Sequence, residues 1–315
     1  MDLTGHKICI TGGAGFLGSV VCKKLSQRGV SDDNLIVPRS REYDLTKQED
    51  CWRLFDQQRP DVVIHLAAEV GGIGANMQHP GRFFYANLAM GLHLIETARQ
   101  HHLAKFVHVG SVCAYPKLAA VPFKEEDLWH GYPEETNAPY GVAKKALFVM
   151  LDGYKREYGL DSAVVVPVNL YGPGDNFDLE SSHVIPALIR KCVEARDRGD
   201  GHIVCWGTGG ASREFLYVDD AAEAIVRATE RVDVPDPINL GTGREITIGK
   251  LVELIAKLTG YRGRIEWDHS KPDGQPRRCL DTGRAAQLLD WRAQMSFEEG
   301  LKATIEWRQQ TNAKA

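Results

Sequence analysis

The chain has 315 residues, of which 43% are hydrophobic and 25% are charged, and its formal net charge is −4. This length can bury the core of one large domain or of two smaller ones, and the mild negative charge argues against a nucleic-acid binder or a membrane-surface binder. Because no apolar run approaches the roughly 20 residues that span a bilayer, and residues 1–5 lead directly into a strand-like segment, we expect a soluble protein without a signal peptide.

The first half of the chain alternates short apolar runs with helical patterns. Strands are predicted at residues 7–10, 35–37, 61–66, 106–109 and 163–166, and the first helix runs through residues 20–25 after a glycine-rich turn. These runs are apolar at consecutive positions, which is typical of strands covered on both faces. The pattern predicts an α/β fold with a Rossmann-type, doubly wound parallel sheet.

The pattern changes after about residue 169. A loop rich in Pro, Gly and Asn at residues 171–177 precedes a predicted helix at 184–195 and a short strand at 202–206. A helix starting at Asp219 and running through residue 228 returns to the first domain, followed by a strand at 238–241 and helices at 251–258 and 297–307. We therefore predict a sheet domain (1–170 plus about 216–245) and a smaller C-terminal α/β substrate lobe (about 171–215 and 246–315).

The turn between the first strand and the first helix carries the glycine spacing of dinucleotide-binding domains. Glycines there permit a tight turn and a close approach of the backbone to a pyrophosphate at the helix N-terminus. A glycine string alone is a weak signal, but a preceding strand and a following helix are the context that supports it. We predict that the cofactor contacts Gly12, Gly13, Ala14, Gly15, Phe16, Leu17 and Gly18.

The end of the second strand favours NADP(H) over NAD. An NAD-binding domain usually has an acidic residue there, whereas this chain has Arg39 and Arg41, whose guanidinium groups can bind a 2′-phosphate. The alternative is a solvated basic loop. Further predicted contacts are Asp44 and Leu45 near the adenine, and Leu66, Ala67 and Ala68 along the pyrophosphate and ribose.

A tyrosine and a lysine lie one helical turn apart, at Tyr140 and Lys144. Ser111 directly follows the fourth strand, at the edge of the sheet where ligands bind. The lysine charge can lower the pKa of the phenol, the phenol can exchange a proton with a carbonyl or alcohol oxygen, and the serine can donate a hydrogen bond to that oxygen. We predict that these three groups are catalytic.

The cysteines and histidines indicate no metal site. Seven cysteines are spread singly along the chain, and no CxxC or HxxxH pair occurs. An odd number of unpaired cysteines is typical of reduced thiols, so we predict a cytoplasmic protein without disulfides or a bound metal.

Together, these motifs resemble the extended, sugar-modifying branch of the short-chain dehydrogenase/reductase family, and within it the GDP-fucose synthases. The resemblance covers about residues 7–308, and its more specific strings are AAEVGGIGAN at 67–76 and SHVIPAL at 182–188. Weaker strings are CAYPK at 113–117, NLYGP at 169–173, REF at 213–215 and SKPDG at 270–274. The resemblance implies NADPH-dependent 3,5-epimerisation of GDP-4-keto-6-deoxy-D-mannose, followed by reduction of its 4-keto group to give GDP-L-fucose.

The resemblance also assigns further residues. Cys113 would be the epimerisation base and His183 its partner acid, although a buried structural cysteine and a histidine at a helix start are the simpler alternatives. Val109, Pro167, Asn169, Leu170 and His183 would join Tyr140 and Lys144 at the cofactor. Ser111, Asn169, Lys191, Trp206, Arg213 and Asp273 would hold the GDP-sugar, although Trp206 could be a core residue and Lys191 a surface charge.

The sequence departs from the family pattern at two places. Ala14 stands where some relatives carry a basic residue, which leaves NADP specificity to Arg39 and Arg41. Val112 and Ala114 flank Cys113 where relatives often have Ser and a larger apolar residue, so a related 4-keto sugar, such as a deoxy-heptose, stays possible as substrate.

Two other functions share part of this residue pattern. A nucleotide-sugar 4-epimerase or dehydratase would use the same Ser, Tyr and Lys with tightly bound NAD, but Cys113, His183 and the two arginines argue against it. A non-catalytic NADP-binding sensor would be expected to lack Tyr140 or Lys144.

The quaternary structure follows from two helical segments. Residues 82–100 and 139–158 carry broad apolar faces, and family members dimerise through the corresponding pair, so we predict a homodimer. The alternative is two amphipathic helices packed only on their own sheet.

Overall fold

The computed structural model describes residues 1–179 and 181–312, which form a mixed α/β structure. The strands are β1 (Ile8–Thr11), β2 (Leu35–Ile36), β3 (Val62–His65), β4 (Lys105–Val109), β5 (Ser162–Pro167), β6 (Asn169–Tyr171), β7 (His202–Trp206), β8 (Ser212–Tyr217), β9 (Pro237–Leu240), β10 (Glu245–Thr247) and β11 (Arg264–Asp268). The helices are α1 (Phe16–Gln27), α2 (Gln48–Gln58), α3 (Ile73–Gln78), α4 (Pro80–Gln100), α5 (Ala138–Tyr158), α6 (Val184–Arg198), α7 (Val218–Arg231), α8 (Ile248–Thr259), α9 (Gly283–Leu289) and α10 (Phe297–Asn312). None of these described helices is long and apolar enough to cross a bilayer.

The main sheet has six parallel strands in the order β2-β1-β3-β4-β5-β9. Every residue of β1, β3, β4 and β5 is buried, because helices cover both faces of the sheet. The chain leaves β1 on one side to form β2 and returns on the other side to form β3. In open parallel sheets, ligands bind at the carboxyl ends of the strands beside such a reversal. The predicted Rossmann-type α/β fold is confirmed.

Helix α7, which was predicted to return to the first domain, lies beside α1 and the main sheet. It packs against α1 and buries a face that includes Ile225, and Lys24 of α1 forms an ion pair with Asp219 at 2.5 Å. Full burial of an isoleucine side chain contributes about 1.5–3 kcal/mol, whereas a partly exposed ion pair contributes at most about 1 kcal/mol. Apolar packing therefore dominates this contact, and the acidic first turn of α7 adds a favourable interaction with the helix dipole.

A second hydrophobic core lies between α6, α8 and α10 and the two small sheets, which are ordered β10-β8-β6 and β11-β7. Helix α9, inside the predicted substrate lobe, instead buries Ala285 and Leu289 in the larger core. The division into two domains therefore remains a prediction. Helix α9 belongs to the substrate lobe in that prediction but packs in the larger core.

The predicted elements are all present, with ends shifted by a few residues, but seven helices and strands were not predicted. These are α2, α3, α9, β6, β8, β10 and β11. Strand β8 is the instructive case, because Arg213 and Glu214 lie in its middle and both are buried. Two adjacent charges in the sequence indicate an exposed segment, and only their tertiary partners explain their burial.

Candidate active site

One cleft of about 1160 Å³ crosses the carboxyl ends of the main strands and reaches the second core. Every site residue predicted from the sequence lines this cleft except Gly13 and Arg41. Gly13 lies inside the turn, where its amide donates to the Ile10 carbonyl at 3.0 Å. Arg41 is 81% exposed and pairs with Glu42 at 3.4 Å. The loop after β2 therefore presents Arg39, but not Arg41, to the cleft.

The glycine-rich turn brings β1 against the loop that follows β3. Gly12 has a φ of +73°, and a β-carbon there would lie 2.9 Å from the backbone nitrogen of Ala67. Gly15 precedes α1 and makes no side-chain cap for the helix. The first-turn amides of α1 therefore point toward the cleft without a side-chain acceptor, which suits a pyrophosphate.

The part of the cleft that was predicted to hold the adenine contains an ordered carboxylate. Asp44 Oδ1 accepts hydrogen bonds from the Thr46 hydroxyl and the Thr46 amide, and these bonds lower the pKa of Asp44. Arg82 also lines the cleft and forms a two-bond pair with Glu69. Neither Arg82 nor Glu69 was predicted as a site residue.

Tyr140 and Lys144 of α5 are both buried beside the end of β4. Lys144 Nζ donates to the Val109 carbonyl at 3.0 Å, and burial lowers the pKa of Lys144 to about 8. Burial raises the pKa of Tyr140, and the Ser111 side chain lowers it by hydrogen bonding. The expected lowering of the phenol pKa by the Lys144 charge is thus not the dominant effect. Tyr140 is protonated at neutral pH, as a proton donor must be.

Cys113 lies in a single 3-10 turn formed by residues 112–114, directly after β4. Its backbone N–H donates to Ser111 Oγ at 3.2 Å. Gly141 of α5 lies against this turn, since a β-carbon on Gly141 would be 2.1 Å from the Cys113 carbonyl oxygen. The residue that follows Tyr140 must therefore be glycine for the thiol and the phenol to share one site.

Arg278 contacts Cys113 and was not predicted from the sequence. Its Nη1 lies 3.7 Å from the Cys113 sulfur and 3.4 Å from Asn169 Oδ1, and its side chain is 5% exposed. The sequence signal was the Arg277–Arg278 pair after the SKPDG string. Arg277, however, points to the partly buried carboxylate of Glu245, so the pair alone does not identify which arginine enters the cleft.

His183 directly precedes α6 and lines the cleft. Desolvation by the surrounding protein lowers its pKa, and the positive charge of Arg278 lowers it further. The structure therefore brings Cys113, Arg278 and His183 into one neighbourhood, although they are separated by up to 165 residues in sequence.

The residues predicted to hold the nucleotide line the other end of the cleft. Lys191 Nζ donates to the Val204 carbonyl at 2.8 Å, and Trp206 is 48% exposed rather than part of the core. Lys271 Nζ lies 5.3 Å from the Trp206 ring centroid. The exposed indole face and two nearby ammonium groups suit a nucleotide base and its phosphates.

Arg213 and Asp273 are tied to the same loop. The Arg213 guanidinium donates to the backbone carbonyls of Ser212, Gln275 and Asp273, and burial lowers its pKa to about 9. The Asp273 carboxylate accepts two hydrogen bonds from Thr208, each of 2.8 Å. Both side chains thus organise the cleft wall in addition to lining it.

The sequence of the chain is similar to those of known proteins. Residues 8–241 match the NAD dependent epimerase/dehydratase family. The chain is 41% identical to the GDP-L-fucose synthase of Escherichia coli (strain K12), over 97% of both chains. It is 40% identical to GDP-L-fucose synthase 1 of Arabidopsis thaliana, over 96% of this chain and 92% of the relative.

A solved structure agrees with these relatives. The NADP-bound GDP-L-fucose synthetase of Naegleria fowleri superposes with a TM-score of 0.86 at 28% identity, covering 98% of this chain and 95% of that one. The chain belongs to the NAD dependent epimerase/dehydratase family and, within it, to the GDP-L-fucose synthases.

Proposed function

We propose that the protein converts GDP-4-keto-6-deoxy-D-mannose into GDP-L-fucose by 3,5-epimerisation and NADPH-dependent reduction at C4. One observation carries the proposal: Cys113 and His183 line the same cleft as Ser111, Tyr140 and Lys144. A simple reductase needs only the last three residues. An added thiol and imidazole are suited to moving protons on carbon next to a ketone.

The epimerisation follows from the acidity of carbons beside the C4 ketone. The Cys113 thiolate removes the proton at C3 or C5, and the electron pair moves onto the C4 oxygen as an enolate. His183 then returns a proton to the opposite face of the same carbon. Ser111 and Tyr140 donate hydrogen bonds to the C4 oxygen while it carries the negative charge.

The reduction uses the same ketone. NADPH, when bound, supplies the hydride to C4. Tyr140 gives its phenolic proton to the C4 oxygen as the alcohol forms, and the Lys144 charge stabilises the phenolate that remains. The raised pKa of Tyr140 keeps the phenol protonated until that step.

The residues at the glycine-rich turn fit NADP(H). The close approach at Gly12 and the uncapped first turn of α1 leave room and donors for the pyrophosphate. Arg39, which lines the cleft, would bind the 2′-phosphate. Arg41, which points away, is assigned no direct contact. Lys191, Trp206 and Arg213 would hold the GDP moiety, and Asp273 would keep their loop in place.

The test separates the two steps in one active site. We expect Cys113→Ser to lose epimerisation but to keep reduction, because serine is a far weaker acid than cysteine and does not form the anionic base. The product from GDP-4-keto-6-deoxymannose and NADPH would then be a D-configured 6-deoxy sugar, identified by NMR. If the Ser variant still makes mainly GDP-L-fucose, Cys113 is not the base.

A matched variant checks the other step. Tyr140→Phe removes the proton donor and is expected to slow reduction by about 10²–10⁴-fold, measured as NADPH consumption. A purified protein that carries NAD and turns over without added NADPH would instead identify a 4-epimerase or dehydratase. Turnover only of a different GDP-4-keto sugar would keep the mechanism and change the substrate.

We also propose a homodimer formed through α4 and α5. These two helices pack along each other and leave Tyr85 and Leu92 of α4 and Val149 of α5 exposed on their outer side. A second copy would bury these side chains in a four-helix contact. Light scattering on the purified protein measures the mass directly.

A cytoplasmic location is proposed because all seven cysteines, which lie within the described residues, are free thiols.

A further inference from the structure

Arg278 is a buried arginine that forms no ion pair with an acid among the residues that the structure describes. Its hydrogen-bond partners among the described residues are the Cys113 sulfur and the side-chain amide oxygens of Asn169 and Gln275. Its Nε is also buried and has no partner in the described part of the chain. A buried cation without a nearby anion costs several kcal/mol, so a negative group at this place would be strongly favoured.

The backbone around Arg278 is fixed on two sides. Residues 279–281 exchange backbone hydrogen bonds with Phe123 at 2.8 and 2.9 Å. The Leu280 amide donates to the buried carboxylate of Glu214 at 2.7 Å. Gln275 in turn donates to the Pro116 carbonyl at 3.3 Å, which ties the loop to the segment that follows Cys113. The guanidinium therefore does not depend on a flexible loop for its position.

The other charged groups near Cys113 are occupied elsewhere. Arg213 donates to three backbone carbonyls, and Lys144 donates to the Val109 carbonyl. Burial raises the pKa of Tyr140, whereas burial and the Arg278 charge lower the pKa of His183, so neither side chain is charged at neutral pH. Among the described residues, Arg278 is the cation that donates a hydrogen bond to the sulfur.

We propose that Arg278 is a positioning residue that holds Cys113 as a thiolate and fixes its sulfur for proton removal from the sugar. This inference rests on the proposed epimerisation and extends it. The anion that compensates the buried guanidinium would be the catalytic sulfur itself. A thiolate next to a guanidinium is more populated at neutral pH than an isolated thiol.

The first experiment needs no substrate. Alkylation of the full-length protein by iodoacetamide is followed across pH, with Cys113 identified by peptide mass spectrometry and Cys113→Ser as the blank. We expect Arg278→Met to slow Cys113 alkylation at neutral pH by roughly three- to tenfold and to move the midpoint of its pH profile upward. An unchanged profile would overturn the proposal.

Two variants separate this role from a structural one. Arg277→Met removes the neighbouring arginine, which points to Glu245 and not to the cleft, and is expected to leave Cys113 alkylation unchanged. Arg278→Lys keeps the positive charge and is expected to restore most of the alkylation rate. Equal slowing in Arg277→Met, or no recovery in Arg278→Lys, would assign the effect to the loop's structure and contradict the proposal.

The second experiment uses the substrate. In deuterated buffer, Arg278→Met is expected to slow deuterium incorporation at C3 and C5 by about the same factor as alkylation, while reduction at C4 changes less. If Arg278→Met alters alkylation but the wild-type protein shows no turnover, the proposed function fails and the Arg278–Cys113 pairing stands. If exchange is normal in the variant, the pairing has no role in epimerisation.

Discussion

The two ends of the cleft are built in different ways. At the cofactor end, the turn after β1 and the loop after β3 meet backbone to backbone, and the main donors are amides at the start of α1. At the sugar end, the groups are side chains such as Cys113, His183 and Arg278, which come from distant segments. A site built from backbone groups is altered mainly by substitutions that add atoms between close segments or that strain the backbone. A side-chain site loses its chemistry when one atom is replaced.

The largest expected effect tests the backbone-built end. Gly12→Ala places a β-carbon 2.9 Å from the Ala67 nitrogen and leaves a non-glycine residue at φ +73°. Overpacking of this kind costs about 1–3 kcal/mol, so we expect the Kd for NADPH to rise roughly 10–100-fold. Isothermal titration calorimetry measures the affinity, and the alkylation rate of Cys113 should stay unchanged.

Gly159→Ala is the matched control for strain alone. Gly159 has the same φ of +73°, ends α5, and has open space around its β-carbon position. The strain penalty should appear in the free energy of unfolding of both variants, but only Gly12→Ala should weaken NADPH binding. If both weaken it equally, general destabilisation explains the effect and the close contact at Ala67 does not.

The next prediction concerns the same end of the cleft and compares the contributions of its two arginines to the preference for NADPH. Arg39 lines the cleft, whereas Arg41 is turned outward to Glu42. A hydrogen bond to a charged group contributes about 1.5–3 kcal/mol, so we expect Arg39→Ala to reduce the preference for NADPH over NADH by roughly tenfold or more. Arg41→Ala should change the ratio of kcat/KM values by less than about twofold. A larger effect at Arg41 would mean that the loop rearranges when the cofactor binds.

Local sequence patterns alone predicted the glycine-rich turn of the backbone-built end, whereas Cys113 and His183 of the side-chain end were predicted only from the resemblance. A glycine turn between a strand and a helix is a local pattern, and so is the spacing of Tyr140 and Lys144, so both were read without tertiary information. Arg278 was missed because the direction of a side chain in a long loop depends on what anchors that loop. Arg41 was included for the same reason, since two arginines in one loop look equivalent in sequence.

Adjacent charged residues also prevented the prediction of one strand. Strand β8 was missed because Arg213 and Glu214 stand side by side in it, although each is buried by partners far away in sequence. The resemblance to GDP-fucose synthases placed Cys113 and His183 in the site, which spacing alone would not have done.

The smallest expected effect concerns Lys144, which lies between the two ends. Burial lowers its pKa to about 8, so its charge is lost as the pH rises through that value. If the charge is needed only for reduction, the rate of NADPH consumption should fall roughly threefold between about pH 7.5 and pH 8.5. Deuterium exchange at C3 and C5 should not fall in this window, because Lys144 does not act on those carbons. If NADPH consumption and deuterium exchange fall together, the Lys144 charge is needed for both steps, and the assignment of Lys144 to reduction alone is wrong.

The same group predicts an opposite trend in stability. In the unfolded chain a lysine keeps its proton to about pH 10.4, so between the two pKa values the unfolded state binds more protons than the folded state. The contribution of Lys144 to stability therefore rises with pH in this window, and below about pH 8 the buried charge is fully destabilising. Lys144→Met removes that cost, so its gain in the free energy of urea unfolding over the wild type should be largest at neutral pH and shrink by about pH 10. A constant difference would mean that Lys144 titrates near its ordinary value, and the fall in reduction above pH 8 would then need another group.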